Sequence, residues 1–499
     1  MKKFFVLVLS ISTLNSYAQK TARPDVYAKT ITPEDLKKHL FIVAGADMEG
    51  RETATPGQKK AAAYIESQFK ALGLQPGNNG SYQMYYNVYQ DTLLDAQLEV
   101  NGLSYQLDKD FNVNIANNIN CTLRLSEVVF MGSDASADSI KNMNLAGKAI
   151  ILTGSFPQGR GNRGGGNLFP ILQTKGIAAL LLVQGNYPHF IVAGRKGNQV
   201  LNSFRKFITP QQFTISENIA KAILGSDYDN AKSNTSLIKT YSANIVLELK
   251  KATNALQSSN VVAVLPGTDL KDEYLFITAH YDHLGKRGDS VIFYGADDDG
   301  SGTVAVLEIA EAFAKARAAG KGPRRSIVFM TVSGEEKGLW GSDYYSSRPI
   351  FPLEKTTADL NIDMIGRTDS SRKAGDSLNY VYVVGDDKLS SDLRTISEAV
   401  NKKYVKMELD YKFNDPNDRN RIYFRSDHYN FAKVGVPIIF YYDGMLGADY
   451  HRSTDTPDKI NYNLLAKRAR LVFYTAWEMA NRNGMLKRDI PLQIPGRSF

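Results

Sequence analysis

Residues 274–316 read YLFITAHYDHLGKRGDSVIFYGADDDGSGTVAVLEIAEAFAKA, and they set the architecture of this chain. The apolar run at 274–279 is typical of a buried strand, and the apolar run at 303–316 is typical of a helix. Between them, three aspartates stand side by side at 297–299, at the point where the chain should enter its core. Carboxylates clustered beside a core either raise their pKa values or hold a cation. A solvated acidic turn is the alternative, and the neighbouring residues favour the cation.

Apolar runs of this kind recur along the second half of the chain and alternate with segments of helical periodicity. Strands are predicted at 261–264, 274–279, 326–332, 358–362 and 436–441, and helices at 302–319, 388–403 and 463–482. Strands that alternate with helices predict an α/β fold, namely a doubly wound, mostly parallel sheet with helices on both faces.

The other segments predict how the chain is divided into domains. A length of 499 residues exceeds what one simple core usually holds, so two or three domains are expected. Two early helices are predicted, one capped by Thr32 and one at 57–72. Residues 120–245 show shorter strand–helix units, typical of an insert with its own core, and residues 252–259 are predicted to be the return linker. We therefore expect an N-terminal part of the main domain at 19–115, an insert at 116–250 and the rest of the main domain at 251–499.

The first 18 residues are typical of a secretory signal peptide. Lys2 and Lys3 precede a short apolar run, and cleavage is expected after Ala18. This run is too short to span a bilayer, and no later segment is long enough. We therefore expect a secreted or periplasmic protein without stable membrane insertion. Cys121 is the single cysteine, so no internal disulfide is expected to stabilise the protein.

The net charge of +8 is concentrated in one segment. Residues 139–216 contain nine lysines and arginines but no aspartate or glutamate. Aromatic side chains on which single-stranded nucleic acid would stack are not interleaved with them. A solvated basic face is therefore expected, and no nucleic-acid partner.

Within this basic segment, residues 159–164 read GRGNRG and match the G-x-G-x-x-G pattern of dinucleotide-binding loops. Such loops need an acidic residue about 20 positions later to bind the ribose. The next acidic residue is Glu217, which is too distant. A flexible loop on the insert is therefore predicted, not a dinucleotide site.

Histidines and carboxylates follow the ends of the predicted strands. They are His280 and Asp282 after 274–279, Glu335 and Glu336 after 326–332, Asp363 after 358–362, and His451, preceded by Tyr450, in the loop after 436–441. Because the carboxyl ends of strands in an open α/β sheet line one edge, these side chains are expected to converge. Their mixture of nitrogen and oxygen ligands suits zinc, or cobalt or manganese in the same geometry.

Six segments match a known family in its order, and together they cover about 255–485: ITAHYDHLG, GADDDGSGTVAVLEIAEAF, VSGEEKGLWGS, NIDMIG, RSDHYNFAKVGVP and DYHRSTDTPDKI. The chain resembles the zinc aminopeptidases of clan MH, family M28, and this resemblance implies the zinc exopeptidase fold. The predicted insert resembles, with a weaker match, the protease-associated (PA) domain found in many members.

The resemblance implies a co-catalytic pair of zinc ions that share a hydroxide. It implies that His280 and Asp363 are ligands of one ion and that Glu336 and His451 are ligands of the other. Asp298 would be a ligand of both. Two divalent ions about 3.5–4 Å apart polarise a carbonyl and make hydroxide available near neutral pH.

Three further residues receive roles from the resemblance. Glu335 would be the general base that takes a proton from water and passes it to the leaving amine. Asp282 would accept a hydrogen bond from His280 and so fix the tautomer of that ring. Tyr450 would stabilise the oxyanion.

The implied function is a metallo-aminopeptidase that removes N-terminal residues from peptide substrates. A carboxypeptidase or dipeptidase of the same fold is an alternative function. It would be favoured if Arg419, Arg421 and Arg425 lined the pocket, because they could then bind a substrate carboxylate. Glutaminyl cyclases of this fold carry one zinc ion and lack the first histidine, whereas His280 is present here. An inactive, scaffold-like relative is the last alternative, and the intact ligand set with Glu335 argues against it.

Overall fold

The computed structural model describes residues 23–153, 168–185, 195–204, 208–447 and 449–492. The predicted signal peptide at 1–18 and the glycine-rich motif at 159–164 lie outside the described residues.

The chain forms two units. The larger unit comprises Met1–Tyr86 and Ser258–Phe499, and the smaller unit comprises Asn87–Gln257. The chain passes from one to the other within two long strands, Gln83–Val100 and Ile238–Leu265.

Seven strands pair side by side in the larger unit, in the order Glu408–Asp410, Tyr380–Val384, Ile438–Tyr442, Thr356–Ile362, Leu270–His280, Arg325–Val332 and the last residues of Ile238–Leu265. Four of the neighbouring pairs are parallel and two are antiparallel. The predicted mostly parallel sheet is therefore confirmed. The strand Tyr380–Val384 and the short strand Glu408–Asp410 extend it beyond the predicted set.

Both faces of this sheet are covered by helices. Successive residues of a strand point to opposite faces. Leu275 lies in the hydrophobic core that contains the helix Gly302–Ala318, whereas Phe276 lies in the core that contains Tyr345 of the helix Trp340–Ser347. The sheet is thus doubly wound, as the alternation of strands and helices predicted.

The predicted helices are present, with small differences at their ends. Thr32 caps its helix by accepting a hydrogen bond from the main-chain amide of Asp35 (3.1 Å). The helix predicted at 388–403 begins only at Asp392. The α-helices of the larger unit are Pro24–Ala28, Pro33–Val43, Pro56–Ala71, Gly302–Ala318, Trp340–Ser347, Asp392–Val400, His428–Lys433 and Tyr462–Asn481. Shorter or wider helical turns occur at Ala46–Arg51, Ala296–Ser301, Leu353–Lys355, Asn401–Val405, Lys412–Asn414, Ile422–Phe424 and Pro457–Lys459.

The smaller unit has its own hydrophobic core. Its strands pair in the order Ile238–Leu265, Cys121–Met131, Ala149–Thr153, Ala179–Gln184, Gln211–Ser216 and Phe111–Val113, and Gln83–Val100 pairs with Leu103–Tyr105 and Lys196–Val200. Its α-helices are Ala137–Ile140, Leu168–Thr174, Glu217–Leu224 and Tyr228–Ser233. The resemblance of this unit to the PA domain stays a prediction.

Two boundaries differ from the prediction. The smaller unit begins at Asn87 and not at 116, because Leu98, Val100 and Phe111 are buried in its core with Ile151. The smaller unit ends at Gln257, inside the segment 252–259 predicted as the return linker, but these residues continue the strand Ile238–Leu265 and do not form an irregular linker.

Within the part of the chain that the structure describes, no helix combines the length and the apolar character needed to cross a membrane.

Candidate metal centre

The predicted ligands lie at one edge of the larger unit's sheet. His280 is the last residue of its strand and pairs in register with Val332, the last residue of the next strand. Asp363 follows directly after the strand Thr356–Ile362. Glu335 and Glu336 follow Val332 after a turn. The strand ends therefore place these side chains close together, as expected for an open α/β sheet.

Asp298 lies between two histidines. Its Oδ1 is 3.3 Å from His280 Nε2, and its Oδ2 is 3.1 Å from His451 Nε2. Its side chain is almost fully buried. A carboxylate that offers one oxygen to each of two imidazoles has the arrangement of a residue shared by two metal positions.

The first position is formed by His280, Asp298 and Asp363. His280 Nε2 lies 3.5 Å from Asp363 Oδ1. One ligand atom from each of the three residues lies within 4.8 Å of the others. All three residues are buried.

The second position is formed around Glu336. Its Oε2 lies 3.1 Å from His451 Nε2, and its Oε1 lies 2.8 Å from His283 Nδ1. His283, Asp298 and Glu336 form a further group with ligand atoms within 4.8 Å of one another. His283 is absent from the predicted ligand set, although its spacing of three residues from His280 placed it beside the motif.

The donor set fits a cation. His280 Nε2, His283 Nδ1, Asp298 Oδ2 and Glu336 Oε1 are buried atoms that make no hydrogen bond to a described residue. Buried polar atoms without partners are costly. His283, Asp298 and Glu336 belong to one group of possible metal ligands, and His280 belongs to the other with Asp298. Imidazole nitrogens with carboxylate oxygens are the ligands of zinc and similar divalent ions.

Positive charge from the histidines stabilises the carboxylates at the place where a cation would lie. Burial opposes ionisation of Asp298, but His280 and His451 hold the pKa of its carboxyl well below its usual range. Burial also lowers the pKa of His451, yet Asp298 and Glu336 raise it to about 10.

The pKa of the Glu335 carboxyl is shifted in the opposite direction from that of Asp298. Burial raises the pKa of its carboxyl well above the ordinary value; His280 opposes this rise, and the carboxylates of Glu336 and Asp363 add to it. A raised pKa suits a side chain that accepts and returns a proton.

The two aspartates beside Asp298 accept hydrogen bonds from main-chain amides. Asp299 accepts hydrogen bonds from the main-chain amides of Gly302 (2.7 Å), Met364 (3.1 Å) and His280 (3.2 Å). Asp297 accepts one from the amide of Gly366 (2.8 Å). These bonds tie the acidic segment to the ends of two strands, which agrees with a role in shaping the turn.

The predicted contact between His280 and the Asp282 carboxylate needs correction. His280 Nδ1 donates to the main-chain carbonyl of Asp282 (3.1 Å), whereas the nearest carboxylate oxygen is 3.7 Å away, beyond hydrogen-bond distance. The carboxylate instead accepts hydrogen bonds from Thr53 Oγ1 (2.8 Å) and the Glu335 amide (3.2 Å). Since a carbonyl can only accept, the ring carries its proton on Nδ1, and Nε2 is free to bind a metal.

Arg51 is a second residue that the sequence did not single out. It is fully buried and donates hydrogen bonds to the main-chain carbonyls of Tyr281 (2.7 Å), Tyr294 (2.7 Å), Gly295 (2.9 Å) and Val43 (2.9 Å). One guanidinium thus fixes the backbone next to both the histidine segment and the acidic segment. An arginine in a region without nearby motifs gave no signal for this role.

A cavity of about 330 Å³ opens beside the first position. Its wall combines acidic and apolar side chains with one arginine: Asp298, Glu335, Asp363, Met364, Ile422, Arg425, Phe440, Tyr442, Leu446 and Tyr450. Of the three arginines considered from the sequence, Arg425 lines this cavity and Arg421 lines a different one. Arg419 lines neither of these two cavities.

Tyr450 joins this cavity to the second position. Its ring stacks on His451, with 3.8 Å between the ring centroids. Its hydroxyl accepts a hydrogen bond from Arg425 Nη2 (2.9 Å). The hydroxyl therefore keeps its own proton for a further partner in the cavity.

Comparison with known proteins gives a family match over part of the chain and several similar proteins. The profile of Peptidase family M28 matches residues 260–476, which carry all eight residues predicted for the site. A probable leucine aminopeptidase of Arthroderma otae is 27% identical over 239 residues, covering 47% of this chain and 61% of the relative. The chain therefore spans less than two thirds of that relative's length.

Two solved structures share the fold. An aminopeptidase from Aneurinibacillus sp. strain AM-1 has a TM-score of 0.54 at 20% identity, covering 95% of this chain and all of that one. A zinc aminopeptidase from Bacillus subtilis has a TM-score of 0.52 at 19% identity, covering 92% of this chain and 99% of that one. At these identities the likeness establishes the fold alone.

Proposed function

We propose that this chain, whose residues 260–476 match the profile of Peptidase family M28, is a secreted or periplasmic aminopeptidase with two zinc ions. The observation that carries the proposal is Asp298, which offers one oxygen to His280 and the other to His451. Each histidine also faces a second carboxylate, Asp363 or Glu336. Two cations that share Asp298 account for this arrangement.

The side chains around the cavity supply the proton transfers. Two zinc ions held there would polarise the scissile carbonyl and lower the pKa of water. Glu335 lines the cavity with Asp298 and Asp363, so its carboxylate lies where water would attack. It would take a proton from water and deliver it to the leaving amine. The Asp282 carboxylate holds Glu335 by accepting a hydrogen bond from its amide.

Tyr450 would stabilise the oxyanion that develops on the carbonyl. Burial and the Asp298 carboxylate raise the pKa of its hydroxyl, so the proton is retained near neutral pH. Arg425 donates to the same oxygen and fixes its position. A hydroxyl held in place before the reaction stabilises developing charge without reorganising.

The lining of the cavity favours a peptide substrate with an apolar N-terminal residue. Met364, Ile422, Phe440 and Leu446 provide apolar surface next to the acidic groups. The name of the relative from Arthroderma otae, a probable leucine aminopeptidase, supports the same preference.

The activity can be tested with leucine p-nitroanilide. We expect hydrolysis of this substrate but not of its N-acetylated form, because an aminopeptidase requires the free amine. Removal of metal with a chelator should abolish turnover, and added Zn²⁺ should restore it. Turnover that persists without metal, or that requires a free carboxylate in peptide substrates, would contradict the proposal.

Arg425 favours a second candidate, a carboxypeptidase or dipeptidase of the same fold. Its exposed guanidinium lies in the cavity wall and would suit a substrate carboxylate. The glutaminyl-cyclase alternative has less support, because His280 is present and lies beside Asp298 and Asp363.

An Arg425→Met variant separates the two candidates. If Arg425 acts through Tyr450, kcat should fall about 10-fold or more on leucylglycine and on its C-terminal amide alike, the value of a charge-assisted hydrogen bond. Arg421→Met is the matched control, since Arg421 lines a different cavity. A loss confined to the peptide with a free carboxylate would support the carboxypeptidase or dipeptidase.

A further inference from the structure

His283 is a fully buried histidine whose imidazole makes no hydrogen bond to any residue that the structure describes. Its Nδ1 lies 2.8 Å from Glu336 Oε1 and 4.0 Å from Asp298 Oδ2. Neither ring nitrogen makes a hydrogen bond to a described residue, and Glu336 Oε1 makes none either. The two atoms are thus close without the geometry of a donor facing an acceptor. A buried imidazole in this state is costly unless a further group binds it.

The backbone fixes the ring in this position. The His283 amide donates to the main-chain carbonyl of Arg51 (3.2 Å), and His283 forms a β-bridge with Glu52. The ring lies against Gly295, where a Cβ atom would come within 2.5 Å of His283 Cγ. Because the ring is packed on one side and its backbone is tied, Nδ1 stays directed towards Glu336.

We infer that His283 is a ligand of the second cation, together with Glu336, His451 and Asp298. This inference rests on the proposed two-ion site. His283 Nδ1 and His451 Nε2 approach different oxygens of Glu336, at 2.8 and 3.1 Å. Both imidazoles also face Asp298 Oδ2, at 4.0 and 3.1 Å. Three of these side chains, those of His283, Asp298 and Glu336, have ligand atoms within 4.8 Å of one another, and His451 approaches two of them.

This ligand makes the two positions chemically unequal. The first position has one imidazole, from His280, whereas the second has two. Additional nitrogen ligands favour zinc and cobalt over magnesium and manganese, which prefer oxygen. The second position should therefore be the more selective for zinc-like ions.

A positioning role is the rival explanation for the same contacts. A protonated His283 would pair with Glu336 and orient that carboxylate without touching the ion. Loss of such a partner also weakens metal binding, usually by about 10- to 100-fold. Affinity alone therefore does not separate the two roles, and a direct mark of bonding is needed.

Cobalt supplies that mark, because a thiolate bound to Co²⁺ gives a charge-transfer band in the near ultraviolet. The full-length protein would be stripped of metal and titrated with Co²⁺, with binding followed calorimetrically and by absorption. The variants are His283→Ala and His283→Cys. His39→Cys is the matched control, since His39 also faces a buried glutamate, Glu308, but bonds Tyr64 through its other nitrogen.

We expect His283→Ala to weaken the second Co²⁺ by more than about 100-fold, beyond the usual cost of removing an outer partner. His283→Cys should regain binding and show the thiolate band, which the wild-type protein and His39→Cys should lack. Circular dichroism confirms that each variant is folded. A folded His283→Cys protein that binds two Co²⁺ ions without the band overturns the inference. If the wild-type protein itself binds fewer than two ions, the two-ion proposal fails instead.

Discussion

Replacing Glu335 with glutamine should lower kcat at least ~100-fold while two metal ions stay bound, the lower range for loss of general base catalysis. This corresponds to about 2.7 kcal/mol of transition-state stabilisation. Glutamine keeps the shape of the side chain, and the main-chain amide of residue 335 still donates to Asp282. The glutamine side chain, however, cannot take a proton from water. The loss should therefore appear in kcat, measured on leucine p-nitroanilide, with metal content measured in parallel.

The control for this variant is Glu354→Gln, which changes an exposed glutamate of the same unit. It should leave kcat and metal content unchanged. Near-wild-type turnover by Glu335→Gln would exclude Glu335 as the base. A fall in turnover accompanied by loss of an ion would show that Glu335 binds metal instead.

Replacing Asp298 with alanine should reduce the bound metal below two ions per chain, because both positions lose a ligand at once. We expect kcat/KM to fall by at least about 1,000-fold, since losing even an outer partner of a metal site costs about 10- to 100-fold. Elemental analysis of the purified variant measures the metal, and leucine p-nitroanilide measures the activity.

Asp289→Ala provides the comparison for this experiment, because Asp289 is an exposed aspartate in the segment between His283 and Asp298. It should retain both ions and full activity. If Asp298→Ala also retains two ions, Asp298 is not shared between them.

Local sequence patterns were sufficient to predict most of the sheet and which side chains lie at its edge. Buried strands such as 326–332 are continuous apolar runs, and the residues that follow them must lie at the sheet edge. Glu335, Glu336 and Asp363 could therefore be placed together from their positions alone. Local periodicity is enough for this prediction because the apolar pattern of a buried strand does not depend on which strands pair with it.

Features that depend on long-range contacts could not be predicted in this way. His283 is aimed at Glu336 by a β-bridge with Glu52, which lies far away along the chain. Asp282 is likewise held by a distant residue, since Thr53, from the same early segment, donates a hydrogen bond to its carboxylate. No periodic pattern marks such pairings in a single sequence.

The boundaries of the two units differ from the prediction for a related reason. Residues 252–259 are mostly small and polar, typical of a linker, yet they extend a strand whose pairing partners lie elsewhere in the chain. Composition describes a segment by itself, whereas strand pairing depends on its partner.

The measurement that tests the account most directly is anomalous diffraction at the zinc edge from crystals of the zinc-loaded protein. Two anomalous peaks are expected, one on each side of the Asp298 carboxylate, each about 2.0–2.2 Å from a different Asp298 oxygen. The first peak should lie beside His280 and Asp363, and the second beside Glu336 and His451. A single peak, or two peaks of which only one contacts Asp298, would contradict the account.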